Sequence, residues 1–177
     1  GCVDCQSLMI IHEELTQLDN RNKFVQFYET VSNPESKVKF GVLIITRCSE
    51  LQTVNQIHGY NEGDNYIVNV AKILNSTIST YKGGVLCRLN SSDFASILPN
   101  ITLKDAENFA KELTSRFNEF QQASDLDSVA YSGLVYFDQN KPLGELLALA
   151  DTGISIAQTQ SINAWYIQKD ADGVNKN

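Results

Sequence analysis

Proline is scarce in this chain, at 3 of 177 residues, and glycine numbers only 10, so neither a collagen-like repeat nor a low-complexity linker array fits. Long apolar runs are missing too. The longest uninterrupted aliphatic stretch is Val42–Leu43–Ile44–Ile45, far short of the roughly 18–20 residues that span a bilayer. No basic stretch followed by an apolar one opens the chain, so no signal peptide is expected. Cations are outnumbered, 14 Lys and Arg against 21 Asp and Glu, for a net charge of −7. A polyanionic partner wants clustered Lys and Arg, so nucleic acid is not an expected partner. Histidines are two and isolated, His12 and His58, and the cysteines are Cys2, Cys5, Cys48 and Cys87. Cys2 and Cys5 form a C-x-x-C pair, but no second pair supplies the four ligands of a structural zinc. No metal is therefore expected. Cys87 reads as a small buried hydrophobe, and the scattered thiols favour a reducing compartment.

What is present suits one globular domain: 177 residues with 42% apolar side chains can bury a core without disulfide staples. Leu8, Ile11 and Leu15 fall at helical spacing, so residues 1–14 read as a helix, either part of the domain or a signalling linker from an upstream module. Asn20 is placed to cap a helix over about 21–31, which Asn33–Pro34 ends. Residues 38–46 read as a buried strand, residues 49–57 as a short helix closed by Gly59, and residues 63–81 as a strongly periodic helix. Gly83–Gly84 then introduces two strands, 85–89 and 94–98, around the turn residues 90–93, a hairpin. Thr102 caps the next helix, with Asp105 placed as in a capping box. A strand over 129–137, a helix bearing Leu146, Ala150, Ile154 and Ala157, and a strand over 163–168 complete the chain before a polar tail or linker over 169–177. That order predicts an α+β fold with helices packed on a sheet.

Four stretches, in order, resemble the GGDEF family, the bacterial diguanylate cyclases. HEELTQLDNRNKF resembles D-x-L-T-G-L-x-N-R-x-x-F. VNQIHGYNEGDNYIVNVAKIL resembles I-N-D-x-x-G-H-x-x-G-D-x-x-L-x-x-x-A-x-x-L. LCRLNSSDFASILP lies where the family carries R-x-G-G-D-E-F-x-x-L-L-P, and ADTGISIAQTQSINAWYI is similar to A-D-x-A-L-Y-x-A-K-x-x-G-R-N. The resemblance covers about residues 12–168. It implies a palm-like fold with a central mixed five-stranded sheet and a β-hairpin carrying the signature. It also implies a two-metal reaction, in which carboxylates hold Mg²⁺ while a 3′-hydroxyl attacks the α-phosphate of GTP.

Set against that pattern, the chain departs at the positions that carry the chemistry. The signature is Asn90–Ser91–Ser92–Asp93–Phe94, so both glycines are replaced and the metal carboxylate becomes the hydroxyl of Ser92. Counting back from Asn55, the first-strand metal aspartate falls at Arg47. A guanidinium roughly 4 Å from a divalent ion repels it by about 8 kcal/mol at an effective dielectric near 20. The phosphate-binding cations fall at Gln52, Gln158 and Ile162, all neutral. The R-x-x-D of the product-inhibition site falls at Tyr81–Lys82–Gly83–Gly84 and is absent. Asn55 and Asp64 match the residues that read the guanine edge. They either retain that role or serve locally, Asp64 at a helix N-terminus and Asn55 in a turn. Arg88 reads as a local partner, Asp93 as a turn acid, and Trp165 as core or a docking surface.

These departures resemble the inactive GGDEF domains of GGDEF–EAL proteins of the LapD-like and CsrD-type groups. The expectation is a non-catalytic regulatory and interaction domain without cofactor, a GTP-sensing module being the alternative and an active cyclase the third. Expected partners are an adjoining EAL domain or sensor module and a second copy through the helix at 1–14. The expected location is cytoplasmic, with membrane attachment only through segments outside this chain.

Overall fold

The computed structural model describes residues 15, 16, 18, 20–138 and 141–168. The helix expected over 1–14 and the tail expected over 169–177 lie outside them. The elements are α1 (Arg21–Val31), β1 (Gly41–Cys48), α2 (Leu51–His58), α3 (Tyr60–Ile78), β2 (Val85–Arg88), β3 (Asp93–Pro99), α4 (Leu103–Ser124), β4 (Ala130–Phe137), α5 (Leu143–Gln158) and β5 (Trp165–Gln168). The expected caps are in place. Asn20 accepts the Lys23 N–H at 3.1 Å, and the Thr102 hydroxyl accepts the Asp105 N–H at 3.1 Å.

The strands form one sheet in the order β2-β3-β1-β4-β5, antiparallel except for the parallel β4–β5 pair. Strand β1 lies at the centre, which explains its continuous apolar run: both of its faces are covered. Val42 and Ile44 point into a core shared with α3 and α4, where Leu74, Phe109 and Phe117 are buried. Leu43 and Ile45 point the other way, into a core shared with α1 and α5. The palm-like architecture is thus a sheet with helices on both faces.

Several boundaries differ from the expectation by a few residues, those of β1 and α3 among them. Strand β1 starts at Gly41 rather than Val38, because the Val38 N–H is taken by the Ser36 hydroxyl at 3.0 Å in a turn. It runs on to Cys48, whose N–H donates to the Ser92 carbonyl at 2.8 Å. Helix α3 begins at Tyr60, directly after Gly59, whose φ of +91° breaks the chain between α2 and α3. Gly63 therefore lies inside the helix. It is buried against α2, and a methyl group there would meet the Asn55 Oδ1 atom at 1.7 Å.

A second close approach places α5. A Cβ at Gly133 of β4 would lie 2.0 Å from the Ala150 carbonyl oxygen, so the bare backbone lets the helix rest on the sheet. Asn163 holds the start of β5. It is 1% exposed, adopts φ 60°, accepts the Val129 and Ala130 N–H groups, and donates to Asn118 and Gln121. Those four bonds satisfy the side chain fully.

Candidate functional site

The register of the sheet brings the signature to the end of β1: Arg47 and Asp93 are direct cross-strand partners. Their side chains close on one another. Arg47 Nε donates to Asp93 Oδ1 at 2.8 Å and Nη2 to Asp93 Oδ2 at 3.0 Å, a two-pronged pair. The same Nη2 donates to Asp151 Oδ1 at 2.7 Å, from the middle of α5. Asp93 is buried, with a 9% exposed side chain, whereas Arg47 is 32% and Asp151 55% exposed. The Arg47 pKa is raised above its ordinary value, first by the bond to Asp93, against an opposing effect of burial. Arg47 folds inward onto Asp93, which is the partner of an ion pair as well as the turn acid expected of it.

The turn itself is closed by its own side chains. Asn90 Oδ1 accepts the N–H groups of Ser92 and Asp93 at 3.0 and 2.9 Å, and its amide donates to Asp93 Oδ2 at 3.2 Å. Arg88 reaches forward to the carbonyls of Asn90 and Ser91 at 3.1 and 2.7 Å, the local pairing expected of it. The Ser92 carbonyl accepts from Cys48. No residue of 90–93 has positive φ, so the turn needs no glycine. The N–H groups of Ser92 and Asp93 and the carbonyls of Asn90, Ser91 and Ser92 all have partners within the protein.

The remaining predicted residues separate into two groups. Asn55 packs on Gly63, and Asp64, the next residue, is exposed on α3. Asp64 stands in the second turn of α3, not at its N-terminus, so a capping role is ruled out by position. The positions of the phosphate cations lie on separate segments: α2, the end of α5, and the loop before β5. Gln52 is exposed in the first turn of α2, and Gln158 ends α5, two turns or about 10 Å beyond Asp151. Ile162, 53% exposed, lines a groove with Thr114, Asn118, Gln121 and Gln122 of α4. Trp165 is half-buried on the α4 side of the sheet and borders an adjoining groove with Thr114 and Ser161.

The sequence pattern alone does not single out Asp151. Its signal is present, since it is the acid of the ADTGISIAQ stretch, but only the fold shows that it faces Arg47. A guanidinium at hydrogen-bond distance from both carboxylates occupies the space and charge that a dication would need. The donor set does not fit the metal pair of diguanylate cyclase chemistry. Among the described residues no group of three His, Cys, Asp or Glu side chains converges, and no helix is long and apolar enough to cross a membrane.

Comparison with known proteins agrees with this architecture. The family model described as diguanylate cyclase, GGDEF domain, matches residues 10–164. The RNase E specificity factor CsrD of Escherichia coli (strain K12) is 24% identical over 159 residues, 88% of this chain and 25% of that protein. The S helix-GGDEF-EAL structure of Vibrio cholerae LapD, bound to c-di-GMP, superposes with a TM-score of 0.75 at 20% identity, covering 97% of this chain and 40% of that one. The coiled coil and GGDEF domain of DgcB from Caulobacter crescentus, in complex with c-di-GMP, gives a TM-score of 0.76 at 16% identity, over 94% of this chain and 90% of that one. The chain thus spans about a quarter of the curated relative and two fifths of the LapD structure. A match across most of the chain, joined to the sheet order and the position of the hairpin, places this protein in the GGDEF family.

Proposed function

We propose that this GGDEF domain makes no cyclic dinucleotide and acts as a regulatory and interaction module in cyclic di-GMP signalling. The observation that carries the reading is the Arg47 bridge to Asp93 and Asp151. It puts an internal cation where the family's reaction needs carboxylates free to hold Mg²⁺, and Ser92 offers only a neutral hydroxyl at the other metal position. The neutral side chains at Gln52, Gln158 and Ile162 lower triphosphate affinity as well. A charge-assisted hydrogen bond contributes roughly 1.5–3 kcal/mol, so three losses amount to several orders of magnitude in binding.

An adjoining EAL domain in the same polypeptide is the proposed neighbour. It is supported by the small share of the LapD S helix-GGDEF-EAL chain and of CsrD that this domain spans. A cytoplasmic location accords with Cys48 and Cys87 being free and buried. The second reading, a GTP sensor without turnover, is favoured by one observation: Asn55 packs on Gly63 where α2 meets α3, and Asp64 is the next residue along the chain.

The test is incubation with GTP and Mg²⁺ or Mn²⁺, paired with calorimetry. No cyclic di-GMP is expected, and GTP binding is expected weaker than ~100 µM. Product that disappears on Asp93→Ala would overturn the reading. A low-micromolar affinity abolished by Asn55→Ala or Asp64→Ala would promote the sensor.

A further inference from the structure

Strand β5 forms one edge of the sheet, and its pairing fixes which of its backbone groups face outward. The Ser132 N–H donates to the Ala164 carbonyl at 3.2 Å, and Ser132 stands opposite Trp165 in the parallel register. In a parallel ladder only alternate residues bond a given neighbour. Tyr166 and Gln168 therefore turn to β4, while the N–H and C=O of Trp165 and Ile167 point away from the sheet. Among the described residues no strand pairs with those outward groups. We propose that the occupant of this edge is β5 of a second copy, paired antiparallel about a two-fold axis at Tyr166, so that the two sheets join into one.

Edge strands are ordinarily protected by charge, proline, a bulge or a covering element. Strand β5 reads Trp-Tyr-Ile-Gln in unbroken register, without charge, proline or bulge. The groove beside it, about 510 Å³, is lined by Thr114, Gln160 and Ser161, and no charged residue lines it or the adjoining groove at Ile162. A chain of net charge −7 repels a second copy, and an uncharged edge is where that repulsion is weakest. Pairing about Tyr166 sets Trp165 opposite Ile167 of the second copy. Each then exchanges both bonds with the other, and no outward group of either residue is left over. Shifting the register by one residue would set them against residues whose groups are spent on β4. Trp165 and Ile167 both pack on the core beneath α4, so the same pairing makes aromatic–aliphatic cross-strand contacts on that face. Tyr166 lies on the other face, beside Gly153 of α5, and meets its own copy across the axis. Such a dimer is independent of catalytic silence, and its readouts are mass and tryptophan emission rather than nucleotide turnover, so the two readings fail separately.

Sedimentation equilibrium of the full 177-residue chain, from about 1 µM to 1 mM, tests this. The mass should double with a dissociation constant of the order of tens of micromolar, as suits a small interface. Trp165 is the chain's one tryptophan, so its emission should move to shorter wavelength in step with the mass. Trp165→Lys should keep the chain monomeric, since an edge lysine blocks strand addition. In a Cys2→Ser, Cys5→Ser background, Tyr166→Cys should form a disulfide-linked dimer under mild oxidation. Opposed residues at the axis lie about 4.5 Å apart at Cα, within disulfide reach. Gln168→Cys, set opposite residue 164 of the second copy, should not cross-link. The cross-linking arm retains Trp165 and decides the matter if Trp165→Lys fails to fold. A chain that stays monomeric throughout overturns the proposal. So does association that leaves the emission unchanged and survives Trp165→Lys, or equal cross-linking at 166 and 168.

Discussion

A methyl group at position 63 would lie 1.7 Å from Asn55 Oδ1 and 2.9 Å from its Cγ, closer than non-bonded heavy atoms tolerate. The obstacle is the end of a side chain, however, so Gly63→Ala forces Asn55 to rotate rather than the helices to part. Overpacking of this kind costs about 1–3 kcal/mol, while exchanging glycine for alanine inside a helix returns up to about 1 kcal/mol. Gly63→Ala should therefore lower stability by about 1 kcal/mol net, and adding Asn55→Ala should recover that loss or more. Urea midpoints of the two single variants and the double variant check this. Additive effects would show that Asn55 does not rest on Gly63. At this scale the sequence is only partly legible. The family resemblance places Asn55 and Asp64 in one motif, and the replacement of carboxylates by Arg47 and Ser92 is plain once the motif is aligned. That Arg47 would fold inward is not, because it depends on Asp151, a partner 104 residues away on α5. Asn163 is similar: its φ of 60° and its four bonds arise from where β5 meets β4 and α4, not from its neighbours in sequence.

Two glycines beside helix α5 meet different surroundings, so one serves as the control for the other. Gly144, in the first turn of the helix, would have nothing within 4 Å of an added methyl group. Gly133, on the strand beneath the helix, faces backbone: the Ala150 carbonyl oxygen at 2.0 Å and the Ile154 nitrogen at 2.9 Å. Backbone cannot swing aside, so Gly133→Ala must lift α5 from the sheet. A loss of at least about 3 kcal/mol is expected, the upper end for overpacking, whereas Gly144→Ala in the exposed first turn should be neutral or slightly stabilising. Equilibrium urea unfolding distinguishes the two. Equal, small effects would mean that α5 sits less firmly on β4 than the geometry states. The elements themselves are largely legible in sequence, since a helical apolar period marks the long helices and short aliphatic runs bounded by turn residues mark the central strands. Their ends are less so. The expected start of α3 at 63 is three residues late, since the helix begins at Tyr60 directly after Gly59, the residue expected to close α2. The order of strands in the sheet is not written in any periodicity; the resemblance implies a mixed five-stranded sheet, and only the fold gives the order.

Among the described residues, the titrating groups that the fold perturbs all shift in one direction, upward. Burial pushes the Cys48 thiol from 9.0 up to about 12, and burial likewise raises Tyr66 and Tyr28 above the ordinary phenol value of 10.0. Tyr66 is tied into the core by its bond to the Val129 carbonyl and by accepting the Glu50 N–H, beside the end of β1. In each case the folded state holds a proton that the unfolded chain releases. The stability this confers is complete below the unfolded pKa and is lost as pH rises through the folded one. Each such group removes up to about 1.4 kcal/mol per pH unit within its window. The loss should start near the ordinary thiol value through Cys48 and steepen where the tyrosines of the unfolded chain ionise. The net charge of −7 works in the same direction, since every further anion adds to self-repulsion in the compact state. The urea midpoint is thus expected to show no contribution from these groups below about pH 9 and to decline progressively above it. Cys48→Ala should delay the onset into the tyrosine range, at the expense of a lower plateau from the lost packing. A midpoint that stays level through about pH 11, or a Cys48→Ala profile with the same onset as the natural chain, would show that the thiol is not held protonated by the fold.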